Sequence, residues 1–201
     1  MLLSRRSVLV VTSSAAVVRS ARAQPVDALM ADRALGNADA KITVQEWFSL
    51  TCTHCAAFQQ RTFPQIRSDL IEKGRIHYVW RDFPLDQVAL MAAMVARSLP
   101  PERYEPFITT LLATQDRWAF ARGVNSTEEL AKIAALAGMS RATFDAAIAN
   151  DALKQAILTA QDKAEKTLNV KSTPSFIING RLLEGAVAFP AFLQAVDAAA
   201  S

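Results

Sequence analysis

The only two cysteines of this 201-residue chain stand three apart, in Ser49-Leu50-Thr51-Cys52-Thr53-His54-Cys55. Ahead of them, Ile42 to Phe48 is a run of β-branched and aromatic residues that predicts a strand. The turn at Ser49-Leu50-Thr51 then leads into a helix beginning near Cys52. On a helix, positions i and i+3 share a face, so both sulfurs lie on the first turn. Their Cα atoms are then about 5 to 6 Å apart, a spacing that a disulfide bridges without backbone movement.

That placement carries chemistry. A helix N-terminus offers unpaired N–H groups and the positive end of the peptide dipole, which favour a thiolate at Cys52 over a thiol. His54 adds a hydrogen bond or a positive charge, and together these lower the Cys52 pKa below the free value of about 8.5. Cys55, one turn in, is expected to be more buried and to act as the resolving thiol. Competing uses of the pair fit less well. A structural disulfide over so short a loop constrains the unfolded chain little. Zinc needs four ligands, and the chain offers only Cys52, Cys55, His54 and His77. His54, caught between the cysteines, is badly placed to join them. Covalent haem needs His after the second Cys, where this chain has Ala56.

The helix from Cys52 is expected to run to about Glu72, with a kink at Pro64 and Gly74 just past its end. Arg75 to Asp82 reads as a second buried strand ended by Phe83-Pro84, so the two strands form a parallel β-α-β unit with a right-handed crossover. From Asp86 onward the strand signal disappears. Val88 to Leu99 and Glu102 to Phe120 are helical by spacing. Ser126 is expected to open a capping box, Ser140 to cap a short helix and Asp151 to open a long one to about Leu168. Strand returns at Ser175 to Ile178, Asn179-Gly180 marks a hairpin, and Arg181 to Leu183 is the partner. An amphipathic helix from Phe189 to Ala199 closes the chain. The order is β-α-β, an all-helical block, then β-β-α.

The first 23 residues have the form of an export signal: a basic start, an apolar stretch from Val8 to Val18, and Ala21-Arg22-Ala23 before Gln24. Ser4-Arg5-Arg6-Ser7-Val8-Leu9 resembles a twin-arginine leader, with a Sec route also open. The apolar stretch is shorter than the roughly 20 residues a spanning helix needs. Arg5, Arg6, Arg19 and Arg22 account for the basic balance. Without them the net charge of +3 falls to −1, which leaves no basic face for nucleic acid. A periplasmic location follows, where a CxxC pair can cycle or sit oxidised. The expected division is residues 1–23 as signal, 24–38 as an extended arm, 39–85 as the first half of the fold, 86–168 as helical insertion and 169–201 as the second half.

Two further positions draw attention. Thr173-Pro174 stands just before a strand, where Pro removes a ladder donor and is normally avoided. A cis bond there would set the ring against the cysteine pair and leave the Thr173 backbone free to pair with an extended substrate; a trans Pro would simply mark the strand start. Glu46 lies six residues before Cys52 among apolar neighbours. If it is buried, desolvation raises its pKa and lets it accept or relay the Cys55 proton; an edge position would leave it in solvent.

The pattern E-x-x-x-x-x-C-x-H-C, with a distant T-P-x-F before a short hairpin and a helical block between, resembles the DsbA family of periplasmic thiol–disulfide oxidoreductases over residues 38 to 198. The resemblance implies an α/β thioredoxin fold (β-α-β … β-β-α) with an all-helical insertion and no cofactor or metal. It implies that Cys52 is the nucleophile, Cys55 the resolving cysteine, His54 the histidine that stabilises the thiolate, and Pro174 a cis-proline facing them. Thr53 and Thr173 flank the substrate-binding position. They depart from the Pro and Val of the family's strong oxidants, and Thr before the cis-proline is more typical of isomerases and reductases.

The expected function is an exported enzyme that introduces disulfides into cysteine-containing exported proteins, recharged by a DsbB-like membrane oxidase. The alternatives are an isomerase or reductase kept reduced by a DsbD-like donor, a redox-inactive chaperone, and a copper(I)-binding protein. Nothing in the sequence points beyond a monomer.

Overall fold

The computed structural model of the protein describes residues 24–200; the export signal read from the sequence lies outside them. Where the sequence predicts only an extended arm, the described chain opens with a short helix α1 (Val26–Met30) and a strand β1 (Arg33–Gly36). Then follow β2 (Ile42–Phe48), α2 (Thr53–Arg61) and α3 (Phe63–Ile66), which passes into a π-helical turn over Arg67–Ile71, and β3 (Ile76–Asp82). Helices α4 (Gln87–Arg97), α5 (Pro101–Ala113), α6 (Gln115–Trp118), α7 (Ser126–Leu136), α8 (Arg141–Ile148) and α9 (Asp151–Thr167) come next. The hairpin β4 (Ser175–Ile178) and β5 (Arg181–Glu184) and the helix α10 (Phe189–Ala200) complete the fold.

The strands lie in the order β1-β3-β2-β4-β5. β2 and β3 are parallel, in register from Ile42 opposite Ile76 to Phe48 opposite Asp82, while β4 pairs antiparallel with β2 and with β5. β1 pairs antiparallel with β3 and makes one outer strand of the sheet, β5 the other. β1 escaped the sequence reading because its four residues carry no alternation. Arg33 is buried there, its guanidinium 5.6 Å from the centre of the Tyr104 ring and donating to the Arg97 carbonyl.

Alternation along β2 assigns the two faces. Val44 and Phe48 enter the main core with Phe58, Phe63, Leu70, Tyr78, Trp80, Phe176 and Phe192. Trp47 faces the other way, packing with Ile177, Val170 and Ala164 of α9. Rings interlock through the main core: Phe58–Phe176 at 4.7 Å, Phe176–Phe192 at 5.3 Å, Tyr78–Trp80 at 5.6 Å and Trp80–Tyr104 at 6.1 Å between centroids. Each aliphatic or Phe side chain so buried contributes about 1.5–3 kcal/mol. The helical block does not fold apart from the sheet, since Val95, Tyr104, Phe107, Ile108 and Trp118 belong to the same buried cluster as Phe48 and Cys55.

The long helices expected from the sequence are broken. α2 ends at Arg61, capped by Thr62 two residues before Pro64, because Pro has no N–H to continue the ladder and its ring crowds the preceding turn. The Glu102–Phe120 helix is divided at Thr114. Asp151 opens α9 as expected, behind an Asn150 cap, while at α7 the cap is Asn125 rather than Ser126, accepting from the Thr127 and Glu128 N–H groups. Ser140 caps α8 as read. At the hairpin, Asn179 and Gly180 take φ of 44° and 86°, the left-handed pair that a tight two-residue turn requires.

Candidate active site

Cys52 is the N-cap of α2, extended in backbone (φ −82°, ψ 117°), with its Sγ 3.4 Å from the Cys55 N–H that donates to it. Both cysteines are free thiols. Cys52 is 6% exposed and Cys55 fully buried, while Thr53 and His54 are exposed. The first turn thus leaves Cys52 slightly accessible, beside the exposed Thr53 and His54, and encloses Cys55 completely.

The Thr173–Pro174 bond is cis, and Pro174 is buried. As a thiol, Cys52 donates to the Thr173 carbonyl at 3.3 Å. The Thr173 hydroxyl is buried with no partner of its own, so it is free to turn to the sulfur once the thiolate forms. The Cys52 pKa falls from an ordinary 9.0 to about 5. The Cys55 thiol donating to the sulfur is the largest cause, burial opposes it, and Thr173 with the N–H groups of Cys55 and His54 completes it. His54 supports the thiolate through its backbone here, its side chain lying at the surface. Cys55 moves the other way: burial, then the neighbouring Cys52 and Glu46, push its thiol well above the usual range. One thiol is ready to ionise and its partner is held protonated.

Glu46 is 2% exposed. It points to the same side of β2 as Val44 and Phe48, and the Tyr78 hydroxyl donates to its Oε2 at 2.8 Å. Burial raises its pKa from 4.5 to about 7, against the Tyr78 bond and the nearby Trp80 indole, which closes no hydrogen bond of normal length. The Cys52 charge adds to the rise, so the carboxyl lies within electrostatic reach of the pair.

His77 is opposite Thr43 near the far end of β3, five residues from Asp82 beside the site. At about 3.3 Å per residue that is roughly 16 Å away, too far to share a metal with the cysteines. Arg81 and Asp82, at the end of β3, are both engaged. Arg81 pairs with Asp32 at 2.5 Å, and Asp82 is buried in an ion pair with Arg97, which also donates to the Leu29 and Ala31 carbonyls.

Sequence reasoning missed two supports that the helical block gives to the cysteine turn. Asp86, the N-cap of α4, accepts from the Thr51 hydroxyl at 2.7 Å, next to Cys52. Gln115, at the start of α6, donates from one amide nitrogen to the Leu50 carbonyl at 2.8 Å and to the Cys52 carbonyl at 3.0 Å. Neither position stands in a pattern that would have flagged it, because each acts across tens of residues of chain.

The thioredoxin family profile matches residues 29–198, so the chain belongs to that family. Within the family it is DsbA-like. It superposes on the crystal structure of Wolbachia pipientis alpha-DsbA1 with a TM-score of 0.77 at 29% identity, covering 84% of this chain and 90% of that one. A protein-disulfide isomerase from Novosphingobium aromaticivorans gives a TM-score of 0.71 at 26% identity, covering 83% and 97%. In sequence, the chain is 31% identical over 150 residues to a protein named as a protein-disulfide oxidoreductase in Rickettsia typhi, covering 74% of this chain. It spans 55% of that relative's length.

Proposed function

We propose that the chain is an exported, periplasmic thiol–disulfide oxidoreductase that introduces disulfides into cysteine-containing exported proteins. The observation that carries this reading is the asymmetric pair: Cys52 with a thiolate held near pKa 5, and Cys55 buried and protonated behind it. Starting from the Cys52–Cys55 disulfide, a substrate thiolate attacks the Cys52 sulfur. The new bond joins substrate to Cys52, and Cys55 leaves as a thiolate that takes up a proton, which the buried Glu46, coupled electrostatically to Cys55, is able to relay. A second substrate thiolate then attacks the first substrate sulfur and Cys52 leaves. Substrate loses two electrons and the enzyme pair gains them. A low pKa makes Cys52 a good leaving group and stabilises the reduced enzyme, which is what makes the disulfide oxidising. The Thr173 carbonyl meets the Cys52 sulfur, and this backbone next to Pro174 is where an extended substrate would lie, with Thr53 on the exposed side. A membrane redox partner, DsbB-like for an oxidant, returns the pair to the disulfide. No metal or cofactor enters, and the protein acts as a monomer.

A second reading, an isomerase or reductase served by a DsbD-like donor, has a specific basis in Thr173 and in the likeness to the Novosphingobium isomerase. One pair of assays separates the two. Oxidised protein mixed with a reduced two-cysteine peptide is expected to convert it stoichiometrically to the disulfide. Reduced protein is expected to reactivate a scrambled multi-disulfide protein no faster than glutathione alone. Slow peptide oxidation with rapid unscrambling would move the assignment to isomerase.

A further inference from the structure

The turn that presents Cys52 is held from outside its own β-α-β unit. Between β2 and α2 the chain reverses through Ser49 to Cys52, closed by the Cys52 N–H donating to the Ser49 carbonyl at 3.2 Å. That leaves the carbonyls of Leu50 and Cys52 on either side of Thr51. The Cys52 carbonyl accepts the first bond of the helix, from the Ala56 N–H at 3.1 Å, and has one lone pair left. The Gln115 amide nitrogen serves both carbonyls, spending its two hydrogens on this one turn. Gln115 is 6% exposed. Its helix α6 is anchored in turn by the Trp118 indole N–H, which donates to the Leu111 carbonyl at 2.8 Å in α5.

We propose that Gln115 is a positioning residue for thiol–disulfide exchange: by bridging the Leu50 and Cys52 carbonyls it fixes the backbone from which the Cys52 sulfur meets the Cys55 N–H and the Thr173 carbonyl. The inference deepens the exchange reading above and rests on it. Two carbonyls pinned by one planar amide leave the intervening peptide units little freedom, so the Cα–Cβ direction of Cys52 is set by the helical block. The amide also polarises the Cys52–Thr53 peptide in the sense that favours negative charge at the helix start, since linked hydrogen bonds reinforce one another. Asp86 grips the same turn through Thr51, but it also caps α4, so its loss would mix positioning with helix stability. Gln115 separates the two effects.

The test compares wild type, Gln115→Met and Gln115→Glu in the same measurements. Each is equilibrated with glutathione, its Cys52 thiolate is titrated by ultraviolet absorbance, and its two redox forms are unfolded in urea. Methionine keeps the length and loses the donor; glutamate turns an acceptor onto two carbonyls. The expected result is a graded loss of oxidising power. The glutathione equilibrium constant falls about tenfold for Gln115→Glu, equivalent to ~30 mV for a two-electron couple, and less for Gln115→Met. The thiolate titration moves upward in the same order. Equal destabilisation of both redox forms, with unchanged equilibrium and titration, would show packing only and overturn the inference while leaving the exchange reading intact. If Gln115→Glu does not fold, Gln115→Met alone decides. Wild-type protein that never equilibrates with glutathione overturns the exchange reading, and this inference with it.

Discussion

Cys55→Ser is expected to accumulate as a mixed disulfide with glutathione or substrate, while Cys52→Ser stays unmodified under the same conditions. The asymmetry follows from burial and charge. In Cys55→Ser the Cys52 sulfur keeps the N–H groups of positions 54 and 55 and Thr173, and serine supplies a hydroxyl donor where the thiol stood. Cys52 therefore still ionises and attacks, but the residue that would resolve the adduct is gone. In Cys52→Ser the remaining thiol is fully buried, and burial with the neighbouring Glu46 still pushes its pKa up after the Cys52 contribution is gone. Its thiolate fraction at pH 7 is at least roughly 100-fold smaller than that of a thiol with pKa near 5, and burial limits access to it. Intact mass and iodoacetamide alkylation rates read both outcomes. An alkylation rate for Cys52→Ser equal to that of Cys55→Ser would remove the distinction between attacking and resolving thiols.

Glu46→Gln is expected to abolish a pH dependence of stability that wild type carries between about pH 4.5 and 7. The folded carboxyl titrates near 7 and the unfolded one near 4.5, so across that window the native state binds more protons than the unfolded state. Stability from this group is complete below pH 4.5, falls as pH rises through 7, and is level above it. The loss amounts to about 3 kcal/mol, from 1.36 kcal/mol per pKa unit. Glutamine keeps a carbonyl oxygen for the Tyr78 hydroxyl and cannot ionise. Its own buried NH2 costs something at every pH, so the readout is the slope rather than the absolute stability. Oxidised protein is the form to use, because the reduced form adds the opposite trend from Cys52, whose lowered pKa makes stability rise with pH. Urea unfolding from pH 4 to pH 8 shows the difference; parallel curves for the two proteins would mean that Glu46 is not a buried, late-titrating acid.

How much of this was readable beforehand depended on whether the cause was local. β2 has the bounds predicted for it because Ile42 to Phe48 satisfies strand preference without help. The Asn179-Gly180 turn and the Ser140 cap are likewise decided within a few residues. The cysteine pair was legible for the same reason, and of the two positions the sequence left open for Glu46 the buried one holds. What was not legible is charge or polarity buried by distant partners. Arg33 sits in β1 because Tyr104 and the Arg97 carbonyl receive it, and Asp82 is buried because Arg97 crosses to it. A composition-based reading puts all three in solvent. Gln115 belongs to the same class, since a glutamine in a short helix says nothing about the carbonyls it will meet.

The central claim is that the fold holds Cys52 as a thiolate at neutral pH, and one measurement tests it most directly. Reduced protein is titrated while thiolate absorbance is followed in the ultraviolet, with Cys52→Ser as the blank. The account predicts an inflection near pH 5 in wild type that is missing from Cys52→Ser. An inflection no lower than about pH 8, the range of a free thiol, would contradict it.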